Sequence, residues 1–231
     1  MITKPKVGMW LGMFRGMGGS ASPSGGAKQS FSDNFDRADN DSLGANWTEV
    51  VGDCDILSNV FDCATADSNN IAYYSGIACS TVSQYICATV LGASTSASKL
   101  FIFRHTPTGT AYVINFEMWN EVMWYKAPTL GGTWTQIGVT LALTVDHVDK
   151  FGITVDGTGA NTDIRIWRNP TANTPISATE WDSGDTTPDA SWTTTDPGAN
   201  AVDTGGYLGL GGYKDGANIN QLEGFYGGDI P

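Results

Sequence analysis

From Phe31 onward the apolar residues of this chain recur at every second position, and that period decides what it can fold into. Tyr112, Ile114, Phe116 and Met118 alternate with Val113, Asn115, Glu117 and Trp119. Leu141, Leu143 and Val145 alternate with Ala142, Thr144 and Asp146. The same spacing returns in Phe151, Ile153 and Val155, in Ile164 and Ile166, and in Leu208 and Leu210. A period of two places such residues on one face of a strand. Turn formers separate the runs: Pro107-Thr108-Gly109, Gly131-Gly132, Asp156-Gly157, Asn169-Pro170 and Asp215-Gly216. Many short strands with no helical stretch predict an all-β antiparallel sandwich or barrel. Thr171 to Thr204 breaks the rhythm, being rich in Pro, Asp and Thr and carrying Trp181 and Trp192. It is expected to form long loops at one end of the sandwich, where such folds carry function.

Charge divides the chain in two. Residues 1–30 hold Lys4, Lys6, Arg15 and Lys28 and no acid. Residues 31–231 hold the other 8 basic residues against all 24 acids, a formal charge of −16. An acidic body repels phosphate, which argues against nucleic acid as its partner. No run of about 20 apolar residues is present to span a membrane. Residues 1–30 are therefore expected to be an anchoring arm and linker, and 31–231 a single sandwich domain. Within the arm, Gly8, Gly12 and Gly16 recur every fourth residue beside Met9, Met13 and Met17. Small residues at that spacing allow close helix contact, while Met adapts to irregular surfaces; three glycines weaken an isolated helix, so the segment is expected to be either a short helix held by partners or an extended arm. Trp10, Met13, Phe14, Arg15 and Met17 are the expected partner-binding residues, since Trp and Arg are enriched at interface hot spots. The apolar stretch superficially imitates a signal peptide, but Arg15 closes it after only eight residues.

Asp33-Asn34-Phe35-Asp36-Arg37-Ala38-Asp39, followed by Leu43-Gly44 and Trp47, resembles the opening of concanavalin A-like, laminin-G-like jelly-roll domains of bacterial and phage proteins. Gly132-Thr133-Trp134-Thr135-Gln136 is similar to the middle of that family. Gly205-Gly206-Tyr207-Leu208-Gly209-Leu210, with a last strand at Phe225, is similar to its end. The resemblance covers about residues 31–231 and implies an antiparallel jelly-roll β-sandwich. It says little about function, because the fold hosts lectins, glycan hydrolases and inert structural modules.

A glycan hydrolase needs two carboxyls flanking one bond, about 5–5.5 Å apart for retention or 6.5–9.5 Å for inversion. Glu117 and Glu121 are the only near pair of Glu. On one continuous strand they would lie about 13 Å apart; a turn at Asn120-Glu121 would bring them closer. His105 and His147 are the only histidines, no GxSxG motif occurs, and no phosphate-binding loop precedes a helix. No catalysis is expected. Asp33, Asp36, Asp39 and Asp41 crowd one stretch, with Asp229 near them if the chain ends pair. They either supply oxygens to calcium or cap polar turns. Trp119, Trp124 and Trp134 are candidates for stacking on a sugar or for core packing. Trp181 and Trp192, set in polar sequence, are better placed to reach a glycan or a neighbouring subunit.

Around a turn at Ser58-Asn59, Cys54 falls opposite Cys63 and Ile56 opposite Phe61. Cys54 and Cys63 are thus placed either for a disulfide or as buried thiols. Cys79 and Cys87 are spaced for a similar bridge about Ser83. The leading expectation is a non-enzymatic bacteriophage structural protein on the virion surface: a capsid decoration, head fibre or tail-associated protein. Its arm would bind capsid or tail proteins or assemble a homotrimer, and its body would be displayed, with a host-surface glycan as a further partner. The alternative is a secreted or cell-surface carbohydrate-binding module or adhesin.

Overall fold

A computed structural model of the protein describes residues 27–92, 97–107, 109–117, 120–193, 202, 205–216 and 220–231. The arm residues Trp10, Met13, Phe14, Arg15 and Met17, and Trp119 with them, lie outside the described residues.

Fifteen strands appear among the described residues. In chain order they are β1 (Ser30–Asp33), β2 (Trp47–Val51), β3 (Cys54–Leu57), β4 (Val60–Cys63), β5 (Ser68–Tyr74), β6 (Gln84–Leu91), β7 (Ser98–His105) and β8 (Ala111–Glu117). There follow β9 (Glu121–Ala127), β10 (Thr135–Ala142), β11 (Lys150–Asp156), β12 (Asp163–Arg168), β13 (Ala190–Thr193), β14 (Tyr207–Lys214) and β15 (Gln221–Asp229). Two sheets result. The first runs β13-β12-β11-β6-β15-β4-β3, with β1 also paired to β15; the second runs β10-β9-β8-β7-β14-β5-β2. β1 and β4 share one side of β15, each covering a different part of its length. The first strand begins at Ser30, and the amide of Gln29 already donates to Asp229 at 2.8 Å, so the sandwich starts slightly before residue 31.

The alternation in the sequence becomes the two faces of each sheet. Ile86, Ala88, Val90, Phe151, Ile153, Ile164 and Ile166 point inward from the first sheet. Phe101, Phe103, Tyr112, Ile114, Phe116 and Leu210 meet them from the second. Burying one such side chain stabilises the fold by about 1.5–3 kcal/mol, so a misregistered strand would lose several of these contributions at once. Trp47, Phe31, Tyr74 and Phe225 stack in one aromatic group that closes the end of the core near β1.

Turn chemistry fixes the register. Ser58 and Asn59 both take left-handed backbone angles, φ 56° and 65°, as a two-residue hairpin turn requires. Cys54 therefore faces Cys63 and Ile56 faces Phe61, as the sequence predicts. Asp156-Gly157 turns with Gly157 at φ 80°, a conformation that glycine adopts without steric cost.

One long segment departs from expectation. Thr171 to Asp189 does not stand off one end of the sandwich; it folds across the outer face of the first sheet. Trp181, fully buried, lies against the backbone of Gly152, where a Cβ would come within 2.6 Å of the indole. The Trp181 Nε1 donates to the Ala172 carbonyl at 3.1 Å, and its ring meets Trp167 at 5.5 Å and Tyr85 at 6.3 Å. Apolar area outweighed the polar composition of the surrounding loop, so Trp181 became the plug of a second, smaller core.

Candidate functional site

The outer face of the second sheet is built differently. Ile71, Leu100, Ile102, Ala111, Val113 and Ala127 form an apolar floor there, and Leu130 folds onto it from the loop between β9 and β10. Trp134, half-buried, braces that loop by donating Nε1 to the Leu130 carbonyl at 3.1 Å and packing on Tyr125 at 6.0 Å. Beside the loop an open cleft of about 410 Å³ remains. Thr48, Glu49 and Val50 line one wall, Thr129, Leu130 and Gly131 the other, and Tyr73, His105, Pro107 and Gly109 complete it.

His105 reaches this cleft through a backbone irregularity. Phe101 and Phe103 face the core, so simple alternation would turn residue 105 inward as well. The register against β14 shifts between Ile102↔Gly209 and His105↔Tyr207, which inserts one extra residue into β7. Arg104 occupies the bulge with φ 54°. Its guanidinium bonds the carbonyls of Val82, Val202 and Gly157 at 2.9, 2.9 and 2.7 Å, and sits 5.4 Å from the Tyr112 ring centre. Those contacts hold the bulge, and the bulge swings His105 to the outer face. Bulges re-aim side chains in this way at functional sites.

Once outside, His105 stands edge-on to Tyr73 at 4.7 Å, and Tyr73 contacts Tyr207 at 5.1 Å. His105 is only 4% exposed, and its Nδ1 has no hydrogen-bond partner among the described residues. Burial pushes its pKa down to about 4, so the ring is neutral at physiological pH. Glu49 is the one carboxylate among the described lining residues. Burial raises its pKa, the Cys54 amide pulls it back, and Asp53 and Asp55 push it up again. The cleft therefore offers aromatic surface, hydroxyls, an imidazole and one acid, carried on strands and their connecting turns.

The residues singled out from sequence are scattered. Trp124 is buried in the main core, edge-on to Tyr112 at 5.3 Å. Trp192 is buried where β13 approaches β10, and its Nε1 donates to the Val139 carbonyl at 2.8 Å. Neither these two nor Trp181 presents a face to a ligand; aromatic area went to packing instead. Trp134 keeps partial exposure beside the cleft. Tyr73, His105 and Tyr207 were not among the sequence candidates.

The aspartates do not converge, and among the described residues no group of three or more His, Cys, Asp or Glu could hold a metal ion. Asp33 is saturated by Arg37 (2.7 and 3.1 Å), the Trp47 Nε1 (2.9 Å) and the Phe35 amide (2.8 Å). Burial opposes its ionisation, but these donors hold its pKa below the usual carboxylate value. Asp39 accepts from the Ser58 amide, and Asp36 is exposed. The chain ends do pair, but Asp33 lies opposite Phe225 while Asp229 lies beyond Gly228. Four strand steps, about 13 Å, separate the two carboxylates along the ladder. Asp229 instead ties Gln29, Ser80 and Thr81 together through hydrogen bonds of 2.7–3.1 Å. The calcium expectation is corrected accordingly: Asp33, Asp39 and Asp229 accept hydrogen bonds from neighbouring protein groups in separate places, and Asp36 is exposed.

Glu117 and Glu121 are not two points on one strand. They face each other across the β8–β9 hairpin. Six strand steps of β8 separate that hairpin tip from Ala111 at the cleft end, about 20 Å by strand rise. Asn115 donates to Glu117 at 2.7 Å, and Glu121 is exposed. His147 accepts from the Gly92 amide at 2.9 Å.

No family model and no curated protein matches the sequence. Solved structures do share its fold. A protein of unknown function with a galectin-like fold from Bacillus subtilis superposes with a TM-score of 0.56 at 8% identity, over 89% of this chain and 98% of that one. An endo-1,3-beta-glucanase from Streptomyces sioyaensis gives 0.51 at 11%, over 91% and 99%. A prokaryotic beta-1,3-1,4-glucanase (lichenase) from a mouse hindgut metagenome gives 0.50 at 9%, over 87% and 99%. The fold is the concanavalin A-like jelly roll that the sequence motifs imply.

Proposed function

We propose that the protein is a non-catalytic binding domain for an uncharged glycan, seated in the cleft between β2, β5, β7 and the β9–β10 loop. The observation that carries this reading is the open cleft itself, walled by the Tyr73 ring, the His105 imidazole, the Thr48 and Thr129 hydroxyls and a single acid, Glu49. Aromatic rings next to a few fixed polar groups are the usual furniture of a small-ligand site. The body's charge of −16 supports a neutral ligand over a uronate or sulfated polymer. The absence of catalysis is supported by the cleft's acids: glycoside hydrolysis uses two, and Glu49 has no second carboxyl among the described lining residues.

The test is calorimetric titration of the full chain with neutral oligosaccharides, including β-1,3- and β-1,3-1,4-linked glucans, and with polyuronates. Binding of a neutral oligomer that His105→Ala abolishes, with no release of reducing ends, is the expected result. Turnover, or binding indifferent to both His105 and Tyr73, would sink the reading.

A second reading concerns placement, and the charge split along the sequence favours it. Residues 1–30 grip an acidic protein surface, the capsid or tail of a phage particle or two further copies of the chain, and the sandwich projects outward at the virion surface. Trp10, Met13, Phe14, Arg15 and Met17 are the gripping residues. Deleting residues 1–28 is expected to leave a folded sandwich that no longer joins its assembly; undiminished incorporation would overturn the placement.

A further inference from the structure

We propose that Cys54 and Cys63 are a disulfide site, closed across the β3–β4 hairpin by exchange with a small-molecule or protein disulfide while the chain folds. The two residues are direct cross-strand partners. The Cys63 amide donates away from β3, to the Asn220 carbonyl at 3.1 Å, while the Ala64 amide donates to Asp53 at 2.9 Å. That pattern makes Cys54–Cys63 a non-hydrogen-bonded pair, the kind whose side chains approach most closely, with Cα atoms about 4.5 Å apart. The value lies at the short end of the range a disulfide spans. Both side chains point to the same inner face and belong to one core cluster.

Cys79 and Cys87 do not share this arrangement. Cys87 alternates with Ile86 and Ala88 and so faces the outer side of the first sheet, packed with Trp167, Trp181 and Tyr85. Cys79 sits in the main core, on the other side of that sheet. The sheet lies between the two sulfurs, and the bridge expected from their spacing is ruled out by the pleat.

Timing follows from burial. All four thiols are free and buried here. Burial drives both members of the pair upward, Cys63 to about 12 despite the nearby Lys99 ammonium, and Cys54 further still. A protonated, enclosed thiol does not attack a disulfide. The hairpin, however, is local in sequence, and hairpins form in about 1–10 μs, ahead of the long-range sheet. Exchange takes seconds to hours, so it proceeds whenever the folding chain is open enough to expose the pair: one cysteine thiolate attacks the oxidant's S–S bond and releases one thiolate. The second cysteine then attacks the mixed disulfide, forms the protein S–S bond and releases the other thiolate. Two thiols are oxidised and one disulfide is reduced. The sandwich then closes over the bridge.

The proposal is independent of the glycan reading. It is tested by unfolding the reduced full chain, refolding it in a glutathione/glutathione-disulfide buffer, quenching with acid, and alkylating under denaturing conditions before peptide mapping. The expected product is a single Cys54–Cys63 cross-link, about 2 Da lighter than the dithiol, with Cys79 and Cys87 alkylated. Cys54→Ser and Cys63→Ser should each abolish it, and the doubly substituted Cys79→Ser/Cys87→Ser chain should retain it. Material exported to an oxidising compartment, mapped in the same way, gives a second reading free of the refolding step. Four alkylated thiols, stable glutathione adducts at 54 or 63, or any bridge to Cys79 or Cys87 would overturn the assignment.

Discussion

The two outer faces of the sandwich began with similar material and were covered in different ways. Each is a pleated surface with apolar side chains pointing away from the core, and each is approached by a loop. On the first sheet, Gly152 leaves a notch in the surface, and the Trp181 indole fills it, fastened by the Ala172 carbonyl and flanked by Trp167 and Tyr85. On the second sheet, Leu130 covers only part of the floor, and the bulge at Arg104 delivers His105 to the uncovered remainder. Where a glycine notch meets a large aromatic partner, the face is sealed by packing, and smaller clefts of about 290 and 250 Å³ remain elsewhere on it. The face with the bulge keeps a cleft of about 410 Å³. Sealing belongs to stability, and the opening is where a ligand would seat.

This contrast can be broken by substitution. The largest effect is expected from Trp181→Ala, which empties the second core. It should cost about 3–5 kcal/mol by chemical denaturation while leaving the cleft's ligand affinity intact once the protein is folded. A loss under about 1 kcal/mol would mean that the loop is held elsewhere. Gly152→Val comes next. Its side chain overlaps the indole, and a destabilisation of about 1–3 kcal/mol is expected from overpacking, read from the same unfolding curves; an unchanged midpoint would contradict the close contact.

Proton linkage sharpens the comparison on the open side. The pKa of His105, about 4 when folded, lies below the unfolded value of about 6.5. The unfolded chain thus takes up the proton first. The stability contributed by the neutral ring is complete above that unfolded value. It declines as pH falls toward the folded one, by up to about 1.4 kcal/mol per unit. Asp33, Asp149 and Asp229 all have lowered values, and their contributions fade only at lower pH. Urea titrations of wild type and His105→Gln between pH 7 and 4 should therefore diverge, with the variant flatter; parallel curves would remove His105 as the titrating group. The smallest stability effect belongs to Tyr73→Ala on the half-buried rim. Glycan affinity is expected to fall about tenfold, near 1.4 kcal/mol, with a change in unfolding free energy smaller than that of Trp181→Ala. A calorimetric titration with unchanged affinity would place the ligand elsewhere.

Local chemistry already specified much of the architecture. Period two in Tyr112–Phe116 and Phe151–Val155 set the strands and their inner faces, because a pleat has no other way to bury alternate side chains. Ser58-Asn59 set the β3–β4 register and with it the Cys54–Cys63 pair, because a two-residue turn leaves a single pairing. The opening motif around Asp33 and Trp47 signalled the sandwich type, and the structure shows Asp33 as its fastener. What could not be read in advance depended on contacts between residues distant in the chain. Trp181 was placed by a glycine 29 positions earlier in the sequence. The separation of Asp33 from Asp229 was decided by the ladder between β1 and β15. Most of all, His105 breaks the parity of its own strand, because Arg104 finds three carbonyls from remote segments and holds an extra residue in β7. Alternation is a rule about neighbours and survives in any folded context. A bulge is a bargain struck with the rest of the fold, visible only when the partners of Arg104 are in place.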